Sequence, residues 1–209
     1  MRTRGISEDF IYDLRYGWFE EHPKREREYQ HYASIDNENI LDIEYAIKEI
    51  NLRLDMIMID SNGDLVLIEN KYGNNALSSS NSKPGLSKHY NDFATILENR
   101  EYRESIVSSM EEVIRIKKEL GLIPDTYELR KNKQGKANPN FHILFVLANL
   151  SLPRKSKIIE NEKNAILENP SVGKYPPRLL CVDGDEYRLD LSKSVALQDL
   201  NYAEFYDKK

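Results

Sequence analysis

Apolar and polar positions alternate along the chain with a period that changes from segment to segment, and those changes mark out its elements. Ile40 to Ile47, ILDIEYAI, alternates apolar with polar residues at first and then becomes richer in apolar ones, which predicts a strand. The polar link Lys48 to Asn51 would turn the chain back. Met56 to Ile59 and Leu65 to Ile68 are apolar runs on either side of Asp60-Ser61-Asn62-Gly63-Asp64, and together they predict an antiparallel hairpin. Helical spacing appears in Phe10, Ile11, Leu14, Trp18 and Phe19, after a start at Ser7 and before the break at His22-Pro23. It returns in Tyr90, Phe93, Ala94 and Leu97, and again in Ile106, Met110, Val113 and Ile114, ending near Gly121 and Pro124. Phe141 to Ala148, FHILFVLA, is a continuous apolar run, as expected of a strand buried on both faces. A short helix over Lys157 to Leu167 would stop at Asn169-Pro170. Arg178 to Val182, a turn at Asp183-Gly184, and Glu186 to Leu191 then predict a second hairpin. Lys24 to Tyr32, KREREYQHY, has no clean period and stays open between a helix and an extended connection. The pattern as a whole predicts an α/β fold: a central mixed sheet, made of an antiparallel meander and one crossover strand, flanked by helices. One domain is expected over 1–209, with 1–35 as an N-terminal helical segment and 170–209 as a C-terminal extension.

The first hairpin also sets a register. With Asp60 to Gly63 in a type I turn and Gly63 left-handed, Asp60 pairs with Asp64, Ile59 with Leu65 and Ile57 with Leu67. Asp55 then falls opposite Glu69, and Lys71 shares a strand face with Glu69. A two-residue loop on Asn62-Gly63 would slip the register by one and separate the carboxylates. Facing carboxylates repel each other, and a hard divalent ion such as Mg²⁺ or Mn²⁺ relieves that repulsion through oxygen ligands. A lysine beside such an ion can hold a water or steady charge on a phosphoryl oxygen.

Asp55, thirteen intervening positions, and then Glu69-Asn70-Lys71 at the end of an apolar strand resemble the motif of the PD-(D/E)XK nuclease superfamily. The resemblance implies a restriction-endonuclease-like fold and metal-dependent hydrolysis of phosphodiester bonds, most commonly in DNA. It implies Asp55 and Glu69 as metal ligands, the backbone carbonyl of Asn70 as a further one, and Lys71 as the residue that assists the attacking water. Leu54 stands where the motif has proline. Relatives place an acidic residue on a helix before the hairpin, for which Glu8, Glu20, Glu21 and Glu28 all qualify. They also place substrate-contacting residues on the helix after it, where Lys88, His89 and Tyr90 stand, at an end suited to anions. Glu44 is a third carboxylate if its face matches that of Asp55, and otherwise a salt-bridge partner for a neighbouring base. A homodimer is expected by resemblance alone. The rival expectation is a catalytically inactive module of the same fold that recruits a partner.

Composition modifies this picture in three places. The lone Cys181 permits no internal disulfide and no four-thiolate iron–sulfur cluster. The start, MRTRGISEDF, lacks the apolar stretch of a secretory signal, so a cytoplasmic protein is expected. A net charge of −5 is not that of a general phosphate binder, although positive charge gathers in the middle third at Arg115, Lys117, Lys118, Arg130, Lys131, Lys133, Lys136, Arg154, Lys155 and Lys157. Asn74 to Ser87, rich in serine and asparagine, is a long loop leaving the proposed active strand. His22 and His31 fall in no zinc-ligand spacing, and His142, near the start of its strand, is expected to be a satisfied core or edge histidine and not a ligand.

Overall fold

The computed structural model describes residues 25–73, 85–149, 152–183 and 186–200. The expected helix over residues 7–19 with Glu8, the acids Glu20 and Glu21, most of the serine-rich loop, and the Gly184 turn all lie outside the described residues.

Three strands form the antiparallel meander: β1 (Ile40–Ile47), β2 (Leu52–Ile59) and β3 (Leu65–Tyr72). Between β1 and β2 the chain reverses through a 3-10 turn at Lys48–Ile50, closed by Asn51 in the left-handed region. The β2–β3 hairpin has the three-residue loop that the predicted register needs. Gly63 sits at φ 76, its N–H donates to the Asp60 carbonyl at 3.1 Å, and the Asp60 N–H donates to the Asp64 carbonyl at 2.9 Å. Asp60 Oδ1 also accepts from the Asn62 and Asp64 amides at 2.8 and 2.9 Å, fixing the turn from inside. Ile57 therefore faces Leu67 and Ile59 faces Leu65.

From β3 the chain crosses over through α2 (Leu86–Glu98) and α3 (Arg100–Glu119) to β4 (Phe141–Ala148). Asn99 separates the two helices, and its Oδ1 caps α3 by accepting from the Glu101 and Tyr102 amides. β4 runs parallel to β3 in unbroken register from Leu65 with Phe141 to Tyr72 with Ala148. A second crossover through α4 (Leu152–Leu167) leads to β5 (Pro177–Val182), parallel to β4, and the short β6 (Val195–Ala196) closes the edge antiparallel to β5. Among the described residues the sheet is thus six-stranded, mixed and open, in the order β1-β2-β3-β4-β5-β6.

Each face of the sheet has its own core. Ile57, Leu67, Ile143, Phe145 and Leu179 pack against Tyr90 and Phe93 of α2, Ile106 and Met110 of α3, and Ile159 and Ile166 of α4. Met56, Met58, Ile68, Leu144 and Val146 pack against Tyr29 and Ala33 of a helix α1 (Arg25–Asp36) that covers the other face. Burying one such aliphatic side chain contributes roughly 1.5–3 kcal/mol. The two-sided burial of β4 is what its continuous apolar run foretold, and β3 beside it is buried on both faces as well.

One segment left open by the sequence is decided and two differ from the expectation. Arg25 to Tyr32 is part of α1, whose inward face carries Gln30 among Tyr29 and Ala33, so a buried polar residue blurs the helical stripe. α4 begins at Leu152, five residues before the expected start, with Pro153 in the first turn, where its missing N–H is not required. Glu186 to Leu191 is not a strand beside β5. The Tyr29 hydroxyl donates to the Glu186 carbonyl, and Asn37 donates to the Tyr187 carbonyl and accepts from the Leu189 amide. Its alternating Tyr187, Leu189 and Leu191 are real, but they line the α1 core instead of a sheet face. No described helix is long and apolar enough to cross a membrane.

Candidate active site

The β2–β3 ladder is paired from Ile59 with Leu65 down to Met56 with Ile68 and stops there. Continuing the register would place Asp55 opposite Glu69, and at this point the strands part. The Asp55 carboxylate enters the gap: its Oδ2 accepts the Asn70 backbone N–H at 2.8 Å. In a strand the N–H and C=O of one residue leave on the same side, so the Asn70 carbonyl points to the edge that Asp55 occupies. Across β1, Glu44 opposite this gap has φ 56, a local left-handed kink.

Glu69 and Lys71 project from β3 on the face covered by α2. Glu69 is only 2% exposed, and its Oε1 lies 2.6 Å from Lys71 Nζ and 2.9 Å from His89 Nε2. His89 Nε2 in turn is 3.2 Å from Lys71 Nζ. Glu26, in the first turn of α1, approaches from the other side, with Oε1 3.8 Å from Lys71 Nζ. Five side chains from four elements therefore converge on the end of β3: Asp55, Glu69, Lys71, His89 and Glu26.

The electrostatics follow from that crowding. Burial, then the charge of Glu69, push Asp55 up to about 8, against the opposing pull of the Asn70 N–H and Lys71. Burial alone would lower Lys71, but the charges of Glu69, Glu26 and Asp55 outweigh it and raise the ammonium above its ordinary value. Lys71 is a cation at neutral pH. The site is a pair of carboxyl groups that resist joint ionisation beside one fixed positive charge. Their oxygens are of the kind a divalent cation takes, but Asp55, Glu69 and His89 do not bring three ligand atoms within 4.8 Å of one another.

The remaining residues singled out in the sequence lie elsewhere. The Glu44 carboxylate goes to Arg53 and Arg27, the salt-bridge outcome. Lys88 is exposed and pairs with Asp92 one turn on. Tyr90 is fully buried, its hydroxyl donating to the Tyr175 carbonyl at 3.1 Å, so it belongs to the core. Glu28 lies beside Tyr29 and Tyr72 near the end of β3. The N-terminus of α2 does not wait for an anion, because Glu162 of α4 already fills it: its Oε2 accepts the Ser87 N–H at 2.7 Å. Two members of the cluster were missed or undervalued in the sequence. His89 stood beside the residues preferred over it, and Glu26 lay in the aperiodic KREREYQHY; its one signal is helical spacing from Tyr29, Gln30 and Ala33.

A second group lies at the turn end of the hairpin. Asp60, Asp64 and His142 bring three ligand atoms within 4.8 Å of one another and could hold a metal ion. Asp64, however, already has protein partners: Arg130 at 2.7 Å, the Asn140 amide at 2.8 Å and the Asn140 side chain at 3.3 Å. Much of the basic middle third is near this end too or is neutralised. Arg115 pairs with Glu112 and Glu119, Lys131 pairs with Glu128, and Lys117 donates to the Ile40 carbonyl. Lys136 lines a groove with Phe141 and His142, and Phe141 is six strand positions from Leu147, the partner of Lys71. That separation is about 20 Å along the strand.

Comparisons with protein-family models, curated proteins and solved structures find no match for this chain.

Proposed function

We propose that the chain is a metal-dependent nuclease of the restriction-endonuclease-like kind, hydrolysing phosphodiester bonds in DNA, as its resemblance to the PD-(D/E)XK superfamily implies. The convergence of Asp55, Glu69 and Lys71 where β2 leaves β3, with Glu69 and Lys71 in contact at 2.6 Å, carries this reading. Asp55, Glu69 and the Asn70 carbonyl would hold Mg²⁺ or Mn²⁺. Such an ion, when bound, makes water more nucleophilic and neutralises charge on the phosphate.

The protein's own groups supply the rest. Lys71 is cationic, so its part is to orient the attacking water and to stabilise charge building on the non-bridging oxygens; it is not a proton acceptor in its resting form. Glu26 and Glu69 on either side keep that ammonium near the reacting phosphate. The Asn70 N–H keeps the Asp55 carboxylate in the gap between strands.

The test is cleavage of plasmid, linear and single-stranded DNA with Mg²⁺ or Mn²⁺. Lys71→Ala and Asp55→Asn should each lower the rate by at least about 10²-fold. Equal activity in native and variant proteins assigns any nicking to contamination and overturns the reading. Two observations favour a non-catalytic module of the same fold: the chain carries net charge −5, and the Lys136 groove lies far from Lys71. Calorimetric titration that finds no Mg²⁺ or Mn²⁺ binding, with or without DNA, selects that module.

A further inference from the structure

We propose that a tyrosine-lined cavity at the end of β3 holds one unpaired base of the DNA strand whose phosphate lies at Lys71, and that Glu28 reads the edge of that base. The inference deepens the nuclease reading above and rests on it for the class of ligand.

The cavity, of about 140 Å³, is lined by Tyr29, Tyr72, Tyr187, Arg25 and Glu28. Its rings form a connected series. Tyr29 lies 6.0 Å from Tyr72 and 5.5 Å from Tyr187, centroid to centroid, and the planes are tilted by 45° and 47°, so neither neighbour is stacked flat on it. Tyr29 is buried and its hydroxyl donates to the Glu186 carbonyl at 3.0 Å, which fixes the middle of the series. Tyr72 and Tyr187 on either side are partly exposed. An aromatic face of this kind takes the flat face of any base.

Two charges of opposite sign line the same cavity, and neither Arg25 nor Glu28 is in an ion pair among the described residues. A quaternary ammonium would suit the rings and Glu28 but meets Arg25, and a bare phosphate would suit Arg25 but meets Glu28. A nucleotide satisfies both: the N–H groups of its base donate to the carboxylate, its phosphate accepts from the guanidinium, and its flat face covers the rings. Of the one-ring bases of DNA, cytosine presents an amino donor where thymine presents a carbonyl, so a carboxylate prefers cytosine.

Placement ties the cavity to the site. Tyr72 follows Lys71 on β3, one strand step of about 3.3 Å away and on the opposite face. Arg25 and Glu28 stand on either side of Glu26 along α1, and the Glu26 carboxylate is 3.8 Å from Lys71 Nζ. A DNA strand crossing the end of β3 with a phosphate at Lys71 thus has the cavity beside it. Bases that are paired and stacked in a duplex do not enter, so the arrangement selects single-stranded or opened DNA.

The experiment uses the full chain in chelator, so that binding is read without cleavage, with fluorescent oligo-dC, oligo-dT and a duplex as probes. Oligo-dC should bind at least about fivefold more tightly than oligo-dT or the duplex. Tyr72→Leu should weaken oligo-dC at least about fivefold, Tyr72→Phe should stay within about twofold, and Glu28→Gln should abolish the preference for dC over dT. Photocrosslinking of the native protein to an oligonucleotide carrying 5-iodocytosine should map to Tyr72 or Tyr187. Crosslinks confined to other residues overturn the proposal, a result that needs no variant to fold. Unchanged oligo-dC binding by Tyr72→Leu overturns it too, and equal binding of oligo-dC and oligo-dT by the native protein overturns the role given to Glu28. DNA cleavage that falls with Lys71→Ala but is indifferent to Tyr72→Leu and Glu28→Gln removes the cavity and leaves the nuclease. Crosslinking to the tyrosines in a protein that cleaves no DNA with Mg²⁺ or Mn²⁺ supports the cavity and removes only the nuclease.

Discussion

Asp55 holds its proton to about pH 8 in the folded chain, because burial penalises its charged form and the neighbouring Glu69 adds to that penalty. The unfolded chain ionises it near the ordinary value of 3.8. A carboxyl with a raised folded-state pKa adds stability below its unfolded pKa and loses that stability as pH rises through the folded value. The protein in chelator should therefore lose stability between about pH 4 and pH 8, and Asp55→Asn should remove much of that loss. At pH 8.5 the variant should melt at least about 2–4 °C above the native protein, the shift that 1 kcal/mol produces in a chain of this size. The difference should shrink toward pH 5, and calorimetric melting across that range checks it. The placement of Asp55, Glu69 and Lys71 at one end of the hairpin was legible in the sequence because one turn fixes their relation, and every step from Gly63 to the carboxyl groups is local. Glu26 was not legible, and His89 entered only as one of three neighbours on the helix after the hairpin, because helix packing across both faces of the sheet brings them in and no spacing along the chain encodes that packing.

Among the elements, the β2–β3 hairpin is held hardest at its turn. A Cβ on Gly63 would run into the Glu128 carbonyl and the Arg130 amide, and φ 76 disfavours any side chain there. Gly63→Ala should therefore destabilise the fold by about 2 kcal/mol or more, read from urea midpoints. Asp64, 2% exposed, ties the same turn to the loop before β4 through Arg130 and Asn140. Asp64→Ala leaves the Asn140 amide without its acceptor and should cost about 1–3 kcal/mol, with little change in the denaturant slope. These ties give the Asp60, Asp64 and His142 group a structural task that needs no ion. The meander and the β4 crossover could be read from hydrophobic period alone, since both depend on local alternation and continuous burial. The segment 186–191 could not: alternation reports one buried face but not whether a strand or the side chains of α1 take up the backbone groups.

At the scale of the molecule the net charge is −5, and among the described residues Arg115, Arg130 and Lys131 are each paired with carboxylates. DNA binding by this chain should then depend weakly on salt. A plot of log affinity against log salt should have a slope shallower than about −4, corresponding to only a few neutralised phosphates. Fluorescence anisotropy with a labelled duplex between 50 and 200 mM salt, about the range over which strong phosphate binders lose most of their affinity, measures it.

The two walls of the β2–β3 cleft are built unequally. β3 is bonded along its whole length to β4, one flank of an eight-pair parallel ladder, whereas β2 loses its hold on β3 below Met56. Glu69 and Lys71 thus stand on an anvil, and Asp55 rides on a jaw with one free edge. Adjustment to a bulkier or longer-bonded occupant falls to the jaw, so amides around Asp55 should exchange hydrogen sooner than those flanking Lys71, and a bound ion should slow the former most.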